Sequence, residues 1–144
     1  MVDYIDHMLR FRKEYYRKLE PVCRKWALTH NELDVVLFLK NHPEVDRASD
    51  IVFRRGIAKS HVSQSVAALE GRGFLTRQTD ARDRRAVHLR LTDSAAPMIA
   101  DAVQAQQDFF HRLVCGLSDT DVANWNVIAE KLLASIEQME QDRE

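Results

Sequence analysis

The sequence predicts a mainly α-helical chain with one small β-hairpin (α+β), and three observations predict it. Apolar residues recur at helical spacing in four separate stretches. Residues 46–73 fit a short helix, a glycine turn and a second helix. Beyond Gly73 the apolar period shifts from that of a helix to that of a strand, in two runs separated by a charged stretch.

The elements follow in order. Ile5, Met8, Leu9, Tyr15, Tyr16, Leu19, Val22, Cys23 and Trp26 share one helical stripe, with Arg12 in one of its apolar slots. Pro21 falls inside this pattern and is expected to kink or divide the helix, because proline lacks the amide that the ladder needs. Thr29 and Glu32 have the spacing of a capping box ahead of an apolar helix over 33–39, which should stop near Asn41, His42 and Pro43. Residues 47–54 form a short helix with Ile51 and Val52 inward, and Gly56 stands where the chain turns and positive φ is favoured. A second helix over 59–72 turns Val62, Val66 and Leu69 inward and stops at Gly73. Strands over 74–77 and 86–91 flank a polar tip, 78–85, and Val87, Leu89 and Leu91 alternate with His88 and Arg90. Thr92 or Asp93 caps a long helix with Met98, Ile99, Val103, Phe109, Phe110, Leu113 and Val114 apolar, ended by Gly116. Residues 118–121 open a last helix striped by Val122, Trp125, Ile128, Leu132, Leu133, Ile136 and Met139.

With 144 residues the chain suits one domain. A hydrophobic share of 45% with 30% charged residues is that of a folded globular protein and excludes a disordered tail. Two cysteines make no disulfide framework, Asp3 and Asp6 stand where a signal peptide needs an apolar run, and the longest apolar run, 35–39, is too short for a membrane. A cytoplasmic location without membrane association is expected. The net charge of -1 conceals an asymmetry: residues 47–90 hold ten basic and four acidic side chains, the rest eleven and eighteen. One segment facing phosphate explains such a division.

The exposed face of the second helix begins with Lys59, Ser60, His61, Ser63 and Gln64. Short hydroxyl and amide side chains let a helix lie deep in a major groove. There Gln64 can pair with adenine, and His61 can donate to guanine or phosphate. The hairpin that follows lands beside this helix, and its tip gathers Arg82, Arg84 and Arg85, suited to a narrow minor groove or to the phosphate backbone. Asp83 among them can stiffen the loop. An ordinary exposed hairpin would favour a glycine at its tip, and this one has none.

On these residues the chain resembles the MarR family of bacterial regulators. The matching segments are Ile57-Ala58-Lys59-Ser60-His61-Val62-Ser63-Gln64, Leu69-Glu70-Gly71-Arg72-Gly73-Phe74-Leu75, Asp80-Ala81-Arg82-Asp83-Arg84-Arg85 and Leu91-Thr92-Asp93. The resemblance implies a winged helix-turn-helix over 29–92. It implies a helical dimerisation region over 1–28 and 93–144. It also implies that Asp83 and Arg85 match the family's wing Asp-x-Arg pair, with Arg84 or Arg82 reaching DNA. Arg55 departs from the pattern, standing where an apolar residue usually precedes the turn glycine, as does Ala96, where a glycine often follows Leu-Thr.

The expected function is that of a sequence-specific transcriptional regulator, a repressor. As a homodimer it would bind a pseudo-palindromic site on double-stranded DNA. The terminal stripes carry more apolar surface than a small winged helix covers, which points to a second copy. Tyr15, Tyr16, Trp26 and Phe38 are candidates for a small-molecule effector pocket, although such residues more often form core. Alternatives are a winged-helix protein-interaction module and a thiol-sensing regulator using Cys23, but Cys23 fits better as a small packed hydrophobe. The six histidines show no ligand-pair spacing, so no metal is expected. No other cofactor is expected. Glycine loops for phosphate and the H-E-x-x-H, G-x-S-x-G and C-x-x-C patterns do not occur, which argues against an enzyme and names no catalytic residue.

Overall fold

The structure, a computed structural model, describes residues 3–143. In chain order they form α1 (Tyr4–Trp26), α2 (His30–Asn41), α3 (Ala48–Arg55), α4 (Lys59–Gly71), β1 (Leu75–Thr79), β2 (Val87–Leu91), α5 (Ala96–Val114) and α6 (Asp119–Gln141). A single 3-10 turn, Asp93–Ala95, precedes α5. The chain separates into two compact units, Met1–Phe109 and Phe110–Glu144, with the division falling inside α5.

The first unit is built around α2. Thr29 caps it as expected: its hydroxyl accepts from the Glu32 amide at 3.1 Å, and the Glu32 carboxylate accepts from the Thr29 amide at 3.2 Å. Every residue of its 33–39 run is buried, all of them apolar except Asp34, so other elements pack around the helix on all sides. Leu19, Val22 and Cys23 of α1, Ile51 of α3, and Val62, Val66 and Leu69 of α4 join its core. Leu28, Ile57, Leu75, Leu89, Ala95, Met98 and Ala102 complete it.

Pro21 does not divide α1, which runs unbroken to Trp26. The Arg17 carbonyl, which a proline at position 21 leaves without its helical partner, belongs to an exposed residue, so water can satisfy it. The helix ends at Ala27 in the left-handed conformation, φ 50°, where the Leu28 amide donates to the Cys23 carbonyl. Arg72, at the C-terminal end of α4, secures this end, donating to the carbonyls of Trp26 (2.6 Å) and Ala27 (2.9 Å) while its guanidinium covers the Phe74 ring.

The hairpin pairs Leu75 with Leu91 and Thr79 with Val87. β1 thus extends two residues further than the sequence suggests, and Gln78 and Thr79 are strand. The tip contracts to 80–86, closed by the Asp80 amide on the Ala86 carbonyl. At its base, Thr92 does not cap a helix with its side chain. Its hydroxyl donates to the Gly73 carbonyl at 2.6 Å, and the Ser94 hydroxyl donates to the same oxygen at 2.8 Å.

In the second unit, Ser118 and Asp121 form the capping box that starts α6. Trp125, Ile128, Leu132, Leu133, Ile136 and Met139 are each more than half exposed in the single chain. In the first unit, Tyr4, Ile5, Met8 and Leu9 of α1 are likewise exposed.

Candidate nucleic-acid interface

The helix-turn-helix is α3, a turn and α4. Gly56 takes φ +63° and its amide donates to the Val52 carbonyl, ending α3 in the left-handed conformation. α4 starts at Ala58, which offers no side-chain cap, so the first amides of the helix receive none. Val62, Ser65, Val66 and Leu69 fill its inner face. Lys59, Ser60, His61, Ser63 and Gln64 all lie exposed on its first turn and a half. The structure thus gathers the five helix residues on one solvent-facing surface.

The wing tip is organised by Asp80, whose role sequence reasoning missed. One carboxylate oxygen accepts from the Arg82 amide (2.7 Å) and the Asp83 amide (3.0 Å). Its other oxygen lies 3.0 Å from His88 Nε2. The His88 bond, then these two amides, lower the Asp80 carboxyl to about 2. Asp83 acts one step further along, accepting from the Arg85 amide at 3.0 Å. That contact is to backbone, and among the described residues Asp83 makes no ion pair with an arginine. Arg82, Arg84 and Arg85 are exposed, and none of them enters an ion pair within the described chain.

Two ion pairs brace the wing. Arg77 of β1 reaches Glu70 of α4 at 3.0 Å, and Arg90 of β2 reaches the buried Asp46 at 3.0 Å. His88 Nδ1 lies 2.6 Å from the other Asp46 oxygen. The imidazole therefore stands between two carboxylates, and its pKa is raised by the bonds to Asp46 and Asp80 despite some desolvation. In sequence His88 is only a polar residue on the outer face of a strand, separated by 42 positions from Asp46.

Of the four aromatic residues considered for a pocket, Phe38 is wholly buried in the core. Trp26 Nε1 donates to Asp101 of α5 at 2.7 Å, and Lys25 pairs with the same carboxylate. Tyr15 accepts from Gln106 at 2.5 Å and packs edge-on to Phe109. Tyr16 lines a cleft of about 270 Å³ with Arg12, His30, Asn31 and Asp34. Its hydroxyl donates to the buried Asp34 at 2.5 Å; burial first and this partner second push the phenol up to about 12. Burial also raises the Asp34 carboxyl, against the Tyr16 bond and the fields of Arg55, Arg12 and His30. Arg55, the departure before the turn glycine, lies over the Phe38 ring at 5.7 Å, so its charge is accommodated without entering the core.

Cys23 is buried, and desolvation, then Glu20, Asp34 and Glu32, push its thiol up to about 11. Among the described residues no cluster of histidine, cysteine or carboxylates is placed to hold a metal, and no helix is long and apolar enough to cross a membrane.

The family model described as MarR family matches residues 28–86. The transcriptional repressor MprA of Escherichia coli K12 is 31% identical over 94 residues, 65% of this chain and 53% of MprA. The matching region thus spans about half the length of that curated relative. Among solved structures, apo MarR of E. coli covers 92% of this chain and 98% of its own at 16% identity, with a TM-score of 0.72. The Staphylococcus aureus MepR–DNA complex covers 94% and 99% at 20% identity, with a TM-score of 0.74. At these identities the structures establish a shared fold.

Proposed function

We propose that this chain, whose residues 28–86 match the MarR family model, belongs to that family and is a transcriptional regulator that binds double-stranded DNA as a homodimer. In this reading α4 enters the major groove through Lys59, Ser60, His61, Ser63 and Gln64. The wing holds the adjacent minor groove or backbone with Arg82, Arg84 and Arg85. The observation that carries the proposal is that a short polar helix face and three arginines, which enter no ion pair among the described residues, are exposed on consecutive elements of one compact unit. An arginine without an acidic partner keeps its charge for phosphate, and the uncapped start of α4 adds free amides and the positive end of the helix dipole.

The second copy is assigned by the apolar stripe of α6 and by the exposed first turns of α1, each of which loses water on pairing. A two-fold dimer reads two half-sites about one helical turn apart, roughly 10 base pairs. Bound at a promoter, it acts as a repressor by occlusion. We assign an effector to the cleft beside Tyr16 and Asp34, and give Tyr15, Trp26 and Phe38 packing roles. The buried, protonated thiol of Cys23 argues against a thiol-sensing mechanism.

The test is a mobility-shift titration on duplex DNA from upstream of the chain's own gene, with unrelated duplex as competitor. A retarded complex of dimer stoichiometry, resistant to competitor, supports the proposal. Failure to retard that DNA at low salt refutes it.

A further inference from the structure

His88 lies on neither the α4 face nor the arginine tip, yet both of its ring nitrogens are engaged. Nδ1 faces Asp46, in the segment leading into α3, and Nε2 faces Asp80, at the root of the wing tip. An ionised carboxylate only accepts, so both contacts are hydrogen bonds only when both nitrogens carry protons. The neutral ring keeps one of the two. Arg90, two residues along the same strand, occupies the other Asp46 oxygen, and Asp46 and Asp80 are the charged groups that face the imidazole.

The contacts form a continuous chain. The Arg82 and Asp83 amides hang on Asp80, Asp80 is held by His88, and His88 is held by Asp46. The Asp46 carbonyl in turn accepts from the Leu89 amide at 2.8 Å. We propose that His88 is a positioning residue for the wing: as an imidazolium bridging Asp46 and Asp80 it sets where Arg82, Arg84 and Arg85 meet DNA, and its deprotonation weakens DNA binding. This rests on the DNA-binding reading above.

The sign follows from the direction of the shift. The folded-state value is raised above the ordinary 6.5, so the bridge is complete below that value and is lost as pH rises through the higher, folded one. A second histidine, His61, lies on the α4 face assigned to DNA, so the two are separated by substitution.

The experiment follows fluorescence anisotropy of a labelled mixed-sequence duplex at low salt, from about pH 6 to about pH 9. Wild type and His61→Gln are both expected to lose roughly three- to tenfold in affinity across this range. His88→Gln is expected to lose less affinity than wild type across this range and to match wild type at its alkaline limit. Asp80→Asn, which keeps the ring and its Asp46 partner, moves the midpoint to lower pH and covers the case in which His88→Gln does not fold. In parallel, NMR of the DNA-free protein should show the Arg82 and Asp83 amides moving with the His88 ring signals. A profile in His88→Gln that retains the wild-type loss, or a ring that titrates without moving those amides, overturns this inference alone. An absence of binding at every pH overturns the DNA-binding reading and this inference with it.

Discussion

Replacing Gly56 and Gly71 by alanine should change stability in opposite directions, although both glycines are exposed and neither side chain would strike a neighbour. A Cβ at either position meets no atom within 4 Å. The difference therefore lies in the backbone. Gly56 sits at φ +63°, where an L-residue costs about 1–2 kcal/mol. Restricting the unfolded chain returns about 0.4–1 kcal/mol of that. Gly56→Ala is thus expected to destabilise by about 1 kcal/mol. Gly71 is the last residue of α4 and needs no positive φ, so Gly71→Ala should stabilise by roughly 0.5–1 kcal/mol. At this chain length each kcal/mol moves the melting temperature by about 2–4 °C. The assay is urea denaturation followed by circular dichroism at one fixed protomer concentration, since the proposed dimer would make stability depend on concentration. Shifts of the same sign, or a Gly56→Ala variant as stable as wild type, would refute the argument that the turn selects glycine for its backbone alone.

Arg84→Ala should weaken binding to all duplexes alike and lower the slope of log affinity against log salt by about 0.9, whereas Gln64→Ala should cost about 1–3 kcal/mol at the cognate site only. Titrations on cognate and unrelated DNA at several salt concentrations separate the two, and identical behaviour of both variants would contradict the assigned contacts. Leu132→Asp with Leu133→Asp places two charges on the α6 stripe and should shift the chain toward monomer in analytical ultracentrifugation, with little change in helical content. A variant that sediments as wild type would remove α6 from the interface. For the cysteines, a thiol at about 11 is thiolate in only about one molecule per thousand at pH 8. Iodoacetamide should therefore label the exposed Cys115 and spare Cys23 until the protein unfolds; a Cys115→Ser variant that labels readily when folded would be inconsistent with the buried site.

What could be read from the sequence is what is encoded locally. The Thr29–Glu32 and Ser118–Asp121 boxes lie within four residues, so their spacing announces the starts of α2 and α6. The turn glycine and the small polar residues of α4 are similarly visible, because their neighbours in space are their neighbours in sequence. Partnerships across long intervals were not visible. Asp34 falls within an apolar run and gives no sign that Tyr16, 18 residues earlier, satisfies it. Asp46 and His88 look like unrelated polar residues until the hairpin folds back. The length of β1 was underestimated because its residues from Thr76 onward are exposed and polar, leaving no alternation to mark a strand. Pro21 suggests a kink or a division of the first helix; α1 is not divided, and Arg17, whose carbonyl loses its helical partner, is an exposed residue.

The convergence of Thr92 and Ser94 on the Gly73 carbonyl has a consequence for how the hairpin can vary. Both ends of the ribbon are rooted at one oxygen, so its footing is set independently of its length. Residues added or removed between 80 and 86 would change how far the arginines extend along a duplex, with the anchorage at the foot left intact. Reach and attachment are thus separately adjustable, and an engineer seeking a longer or shorter grip has one place to cut.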